Sequence, residues 1–176
     1  MSAIAYPNPA VPAPHAFVLD VPDGWSAQPA PRGLMMLTPD EHDPAFHPNV
    51  VISCNRVAAD LDLKQVGAEA LRAAARVGDD PALEVGKVGR LNGRTVYIQT
   101  LAVTLRSTGQ RVAQLHMVFF GPADSIVSTE AGRTADLYTF VGTCLDADAV
   151  TYAPLFLTMA TSFTFGPRLA VPRPKG

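Results

Sequence analysis

The chain has 176 residues, 48% of them apolar, with a formal net charge of -2. That length fits one domain with a core of its own, in no need of a metal or disulfide staple. The near balance of charge argues against a nucleic-acid partner, which would want a basic face, and no window reaches the roughly 18 unbroken apolar residues of a membrane span.

Residues 1–15 are rich in proline and alanine and read as a tail that includes His15. The tail has neither a basic n-region nor a continuous apolar core, so no signal peptide is read there and the expected compartment is the cytoplasm. In "FVLDVPDGW", Phe17, Leu19 and Val21 alternate with Val18 and Asp20, the period of a half-buried strand. Pro22 cannot donate to a ladder, and Asp23-Gly24 is turn chemistry. Trp25 follows as the chain's only tryptophan. Pro22, Gly24 and Trp25 are therefore read as a structural anchor, with Trp25→Ala expected to cost about 3–5 kcal/mol. "GLMMLT" from Gly33 and "NVVISCNRV" from Asn49 predict two more strands. The proline-interrupted "PDEHDPAFHP" between them is a loop.

"DLDLKQVGAEALRAAARVG" predicts a helix, with Leu63, Val66, Ala70, Ala73 and Val77 on one stripe. Asp60 or Asp62 would cap its start, and Gly78 would end it in the left-handed conformation. "ALEVGKVGRL", "RTVYIQTLAVTL" and "RVAQLHMVFF" predict three consecutive strands, the first two joined at Asn92-Gly93. Tight turns make them antiparallel. After the loop "ADSIVSTEAGRTA", "DLYTFVGTCL" predicts another strand. "DADAVTYAPLFLTMATSF" predicts a closing helix, Thr151 its cap and Pro154 in its first turn, where a missing N–H costs nothing. Residues 166–176 read as a flexible, proline-rich basic tail, leaving one domain over 16–165.

The closing helix carries no charge on any face. Tyr152, Leu155, Phe156, Met159 and Phe163 fall on one arc, which either packs on the sheet or meets a partner protein or a second copy of the chain. Little else suggests chemistry. His116 fits a strand face, and His42 and His47 share a loop with Asp40, Glu41 and Asp43 in no metal-ligand spacing. No metal and no cofactor are expected. Cys54 and Cys144 sit in apolar strands and read as free thiols rather than one bridge. "GKVGRLNGR" lies between strands, so its glycines make a hairpin rather than a phosphate loop, and Lys87, Arg90 and Arg94 are edge charges.

The order of strands and helices, with "FVLDVPDGW", "NVVIS", "LNGRTVY" and "ATSFTF", resembles the PsbP-like superfamily over about residues 16–165. That superfamily includes the extrinsic PsbP subunit of photosystem II, a small Ran-binding import factor, mycobacterial LpqN-type lipoproteins and the Eag chaperones of type VI secretion effectors. The Ala/Val/Pro/Gly bias resembles the actinobacterial LpqN type, although the chain shows no lipid-attachment cysteine. The resemblance implies an α+β fold in which an antiparallel sheet carries two main helices, an α/β/α sandwich. It supplies no catalytic residues. The function it implies is a non-enzymatic protein-binding module, an adaptor or a chaperone-like, secretion-associated protein. The alternative is a carrier of small apolar ligands, its pocket between the sheet and the closing helix lined by Tyr97, Phe119, Phe120, Tyr138, Phe140 and Phe156. An enzyme is the reading the residues support least.

Overall fold

The computed structural model of the chain describes Pro7 and residues 12–41, 46–130 and 132–168. Asn92 and Gly93 both take positive φ, 49° and 78°, which closes the two-residue turn expected between strands β5 (Gly78–Leu91) and β6 (Arg94–Leu105). Strand β7 (Arg111–Phe120) returns along β6, so the three form a meander. Before it come β1 (His15–Val18), β2 (Trp25–Gln28), β3 (Met35–Pro39), β4 (Asn49–Ala58) and helix α1 (Leu63–Val77). After it come β8 (Val127–Thr129), β9 (Gly132–Leu145), helix α2 (Ala149–Ser162) and β10 (Thr164–Arg168). The main sheet runs β2-β3-β4-β9-β7-β6-β5, antiparallel throughout, with β8 added to β9. β1 and β10 pair apart from it as a two-stranded ribbon.

Strand alternation divides the side chains between two faces. On one face Val50, Ile52, Leu115, Met117, Phe119, Tyr138 and Phe140 form the larger core with Phe156, Met159 and Phe163. α2 and the ribbon cover it, and Phe17 of β1 stacks on Phe163 with ring centroids 4.7 Å apart. On the other face α1 lies over β5, β6 and β7, packing Leu63 and Ala74 onto Tyr97, Leu101 and Val118. Both helices approach the sheet at a glycine. A β-carbon on Gly142 would lie 2.5 Å from the Phe156 ring, and one on Gly67 would overlap Tyr97.

Several expectations need correction. The first strand ends at Val18, not Pro22, and belongs to the ribbon. Trp25 does follow a turn, in which Gly24 has φ 75° and the Trp25 N–H donates to the Pro22 carbonyl at 3.2 Å. It then opens a strand of its own, β2. Trp25 is half-buried, edge-on to Tyr152 and Phe156 of α2, so its truncation should cost less than a fully buried aromatic would. His15 is not in a tail. It is 5% exposed, and its carbonyl accepts from the Tyr138 hydroxyl at 3.1 Å. The ribbon carries strand pairing to His15 and Arg168, past the expected bounds of 16 and 165. The rest of the two expected tails lies outside the described residues, apart from Pro7 and residues 12–14.

Asp62, rather than Asp60, caps α1 by accepting from the Lys64 N–H at 2.9 Å. Gly78 ends α1 in an extended conformation, φ -147°, because β5 begins there without a loop. The buried line of α1 is Leu63, Gly67 and Ala74, and Val77, placed on the expected stripe, is 59% exposed. Thr151 does not cap α2, whose N-cap position is Asp148, three residues earlier. Pro154 therefore lies inside the helix. The carbonyl left without a donor is that of Val150, a residue 88% exposed, where water can reach it.

Candidate functional site

The arc expected either to pack on the sheet or to meet a partner turns inward. Phe156, Met159 and Phe163 are 1%, 0% and 2% exposed, with Tyr152 and Leu155 packed partly buried against them. Their width on the helix reflects a core in which α2 is flanked by Trp25 on one side and the ribbon's aromatics on the other. The six aromatics expected to line one pocket are split by the sheet. Tyr97 and Phe120 lie under α1, whereas Phe119, Tyr138 and Phe140 lie under α2, which carries Phe156. The cleft actually present between α2 and the sheet, at Thr100, Leu115, Cys144 and Ala153, holds about 70 Å³. That is far below the roughly 300 Å³ of small-molecule sites.

A buried polar cluster occupies the ribbon end of the α2 face. Arg56 pairs with Asp136, which is 2% exposed, and donates to the Ser125 carbonyl at 3.2 Å. His15 meets Asp124 at 3.3 Å. Burial, followed by the Asp136 charge, pushes the Cys54 thiol up to about 11, and burial raises the Tyr138 hydroxyl as well. Burial likewise pushes Cys144 up to about 11. Both thiols are unpaired and protonated at neutral pH, which makes them poor nucleophiles. The cluster fixes the ribbon and the 3-10 turn at Ala123–Ser125 to the sheet.

Among the described residues α1 leaves half of its face of the sheet uncovered, except at the end where Phe46 of the β3–β4 loop packs toward Val112 and Ala74. Strand register lines up Gln28, Met36, Val51, Val141 and His116 in one row across β2, β3, β4, β9 and β7. A neighbouring row holds Asn49, Thr143 and Gln114. Amides and hydroxyls tie these rows together. Gln28 donates to Thr38 at 3.0 Å, Gln114 donates to Thr143 at 3.3 Å, and Gln114 meets the His116 ring at 3.1 Å. Met36, Val51 and Val141 are half-buried among them. Two shallow grooves continue this surface. One, about 360 Å³, lies between Ala70, Ala73 and Val77 of α1 and Thr139 and Val141 of β9. The other, about 390 Å³, lies between β2 and β3 and is rimmed by Asp40 and His47. His116 is 8% exposed, and burial holds its pKa down to about 4, so at neutral pH it adds hydrogen-bonding capacity and no charge.

Among the described residues no three His, Cys, Asp or Glu side chains gather as metal ligands, and no helix is long and apolar enough to cross a membrane. His42 and Asp43 lie outside the described residues.

No protein-family model and no curated protein sequence matches the chain. Solved structures do match in three dimensions. LpqN of Mycobacterium tuberculosis, involved in cell envelope biogenesis, superposes with a TM-score of 0.66 at 16% identity, over 88% of this chain and 87% of LpqN. Cyanobacterial PsbP from Synechocystis sp. PCC 6803 superposes with a TM-score of 0.58 at 16% identity, over 94% of this chain and 99% of that one. The fold is PsbP-like. A protein of unknown function from Pseudomonas aeruginosa, PA94, matches as well, with a TM-score of 0.54 at 14% identity, over 93% of this chain and all of that one.

The motifs that suggested this PsbP-like fold all serve its frame. "FVLDVPDGW" supplies β1 and the turn into β2, "NVVIS" opens β4, "LNGRTVY" is the β5–β6 turn, and "ATSFTF" links α2 to β10. None lies wholly on the bare face of the PsbP-like sheet. The residues there were not singled out as a site from the sequence, because a strand pattern shows which residues share a face and not which face a helix will cover. The signal that was present is the run of Thr139, Val141 and Thr143 in β9, a central strand whose side chains on this face are small and mostly polar.

Proposed function

We propose that this protein is a non-enzymatic protein-binding module whose binding surface is the bare half of its sheet. The observation that carries the reading is the pair of rows from Gln28 to His116 and from Asn49 to Gln114. They form a broad, shallow surface with no formal charge, in which amides and hydroxyls surround Met36, Val51 and Val141. Such a surface costs little to desolvate, since it has no ion to strip of water, and it offers both donors and apolar contact. Its grooves are shallow and wide, which suits another macromolecule better than an enclosed small ligand. The four ionisable groups with large upward or downward shifts, Cys54, Tyr138, His116 and Cys144, are moved first by burial. The carboxylates beside Cys54, Tyr138 and Cys144 push the same way as burial, which holds those groups protonated rather than activating them.

The test is affinity capture from native lysate with the wild-type chain beside a Met36→Lys/Val141→Lys variant. Both positions are half-buried, so the thermal melt of the variant should stay cooperative. The expected result is a protein retained in near-equal amount by the wild type and lost by the variant. Retention of the same protein by both at equal yield would refute the reading.

A further inference from the structure

The far edge of the sheet has properties that the bare face does not explain. β5 is the edge strand, 14 residues long, and among the described residues nothing pairs with its outer side. Its first half is irregular, with register shifts between Asp79 and Ala82 and between Leu83 and Val85. From Val85 to Leu91 the ladder with β6 is regular. The two-residue turn at Asn92-Gly93 makes Leu91 and Arg94 a hydrogen-bonded pair. Alternation then assigns the backbone groups of Leu91, Gly89, Lys87 and Val85 to β6, and turns those of Gly86, Val88 and Arg90 outward. Val88 is 48% exposed and Val85 47%, so apolar side chains stand beside these open backbone groups on both faces.

Charge selects what would pair there. From Val85 to Ile98 the hairpin carries Lys87, Arg90 and Arg94 and no carboxylate. The acidic residues of β5, Asp79, Asp80 and Glu84, all precede the regular stretch, and Asp79 is bound to Arg106 at 2.8 Å. Lysine and arginine on an open edge repel another edge of the same kind, a second copy of this chain included. They attract an acidic one. Gly89 carries no side chain, and a β-carbon there would meet only Val96 at 3.9 Å, which leaves room for a larger side chain of an incoming strand.

We propose that β5 accepts an extended acidic segment of a partner polypeptide by strand addition. Its backbone bonds to Gly86, Val88 and Arg90, and its carboxylates meet Lys87 and Arg90. This inference goes beyond the reading of the bare face, which lies at the opposite end of the sheet and can fail without it.

The probe is a labelled nonapeptide alternating valine with glutamate, with a valine–lysine peptide as control, followed by fluorescence anisotropy. The glutamate peptide should bind and weaken as salt rises, and the lysine peptide should not bind. Val88→Pro removes an outward donor and leaves the β6 ladder intact, and should weaken binding about ten-fold or more. Lys87→Glu/Arg90→Glu leaves the backbone as it is and should reverse the preference between peptides, which serves should the proline variant misfold. Hydrogen exchange at Val88 and Arg90 should slow on adding the glutamate peptide. Equal binding of both peptides, unchanged affinity in Val88→Pro, or a wild-type dimer in sedimentation that Val88→Pro dissolves would each overturn the proposal.

Discussion

Trp25 shows how one residue's energetic role depends on its neighbours. Its sequence position after a Pro-Asp-Gly turn marks it as an anchor, and the structure gives it Tyr152 and Phe156 as edge-on partners. Because it is only half-buried, Trp25→Ala should cost about 2–3 kcal/mol in urea unfolding, near the low end for aromatic truncations. A loss below about 1 kcal/mol would show that α2 does not rest on it. His116 makes a prediction about pH. Its folded pKa of about 4 lies below the 6.5 of an ordinary histidine, owing to burial. Between those values the unfolded chain binds the extra proton, so stability falls as pH drops from about 6.5 to 4 and then levels, a loss of up to about 3 kcal/mol. His116→Gln should flatten that part of the stability–pH curve relative to wild type. Parallel curves for the two proteins would contradict the burial of a neutral imidazole. At this scale the sequence placed His116 on a strand face correctly, whereas His15 was put in a tail. No local pattern announces that its carbonyl receives the Tyr138 hydroxyl from 123 positions away.

The two helices and the long strands were legible because each repeats a period over enough residues to be seen. α1 and α2 fall where the apolar steps of three and four place them. β2, β8 and β10 were not, being three to five residues long and defined by their partners rather than by alternation. Pro154 misled the position of the α2 start, since its tolerance inside the helix depends on a solvent-exposed carbonyl that only the tertiary structure shows. The seat of α2 is set by Gly142, where a β-carbon would strike the Phe156 ring. Gly142→Ala should therefore destabilise by about 2 kcal/mol or more, although alanine suits a strand better than glycine. Equal or greater stability in a thermal melt would mean that α2 sits farther out. The ribbon end of the sheet depends on the Arg56–Asp136 pair. Asp136→Ala leaves the partly buried Arg56 cation without its carboxylate and should cost about 2–3 kcal/mol, more than Arg56→Met/Asp136→Leu, which removes both charges together. The reverse ranking in chemical denaturation would show that the pair is dispensable.

At the scale of the whole molecule, β9 decides the architecture. It leaves the β5–β6–β7 meander, runs beside β7, and receives β4 on its other side, so the two halves of the chain join through it. That pairing links Asn49–Ala58 to residues 76 to 94 positions later, from Ala58 with Thr134 to Asn49 with Thr143. A sequence can establish that these strands exist without stating which of them touch. The same limit hid the candidate site, because the bare face is defined by where α1 stops, over β7, and by the short β2 and β3 extending the sheet beyond it. Met35 and Met36 are adjacent in the chain and lie on opposite faces, Met35 against the α2 core and Met36 in the bare row. Hydroxyl-radical footprinting of the protein with and without its captured partner reads that difference directly. Oxidation of Met36 should be suppressed in the complex while that of Met35 stays unchanged. A complex in which Met36 oxidises as fast as in the free protein would place the partner elsewhere.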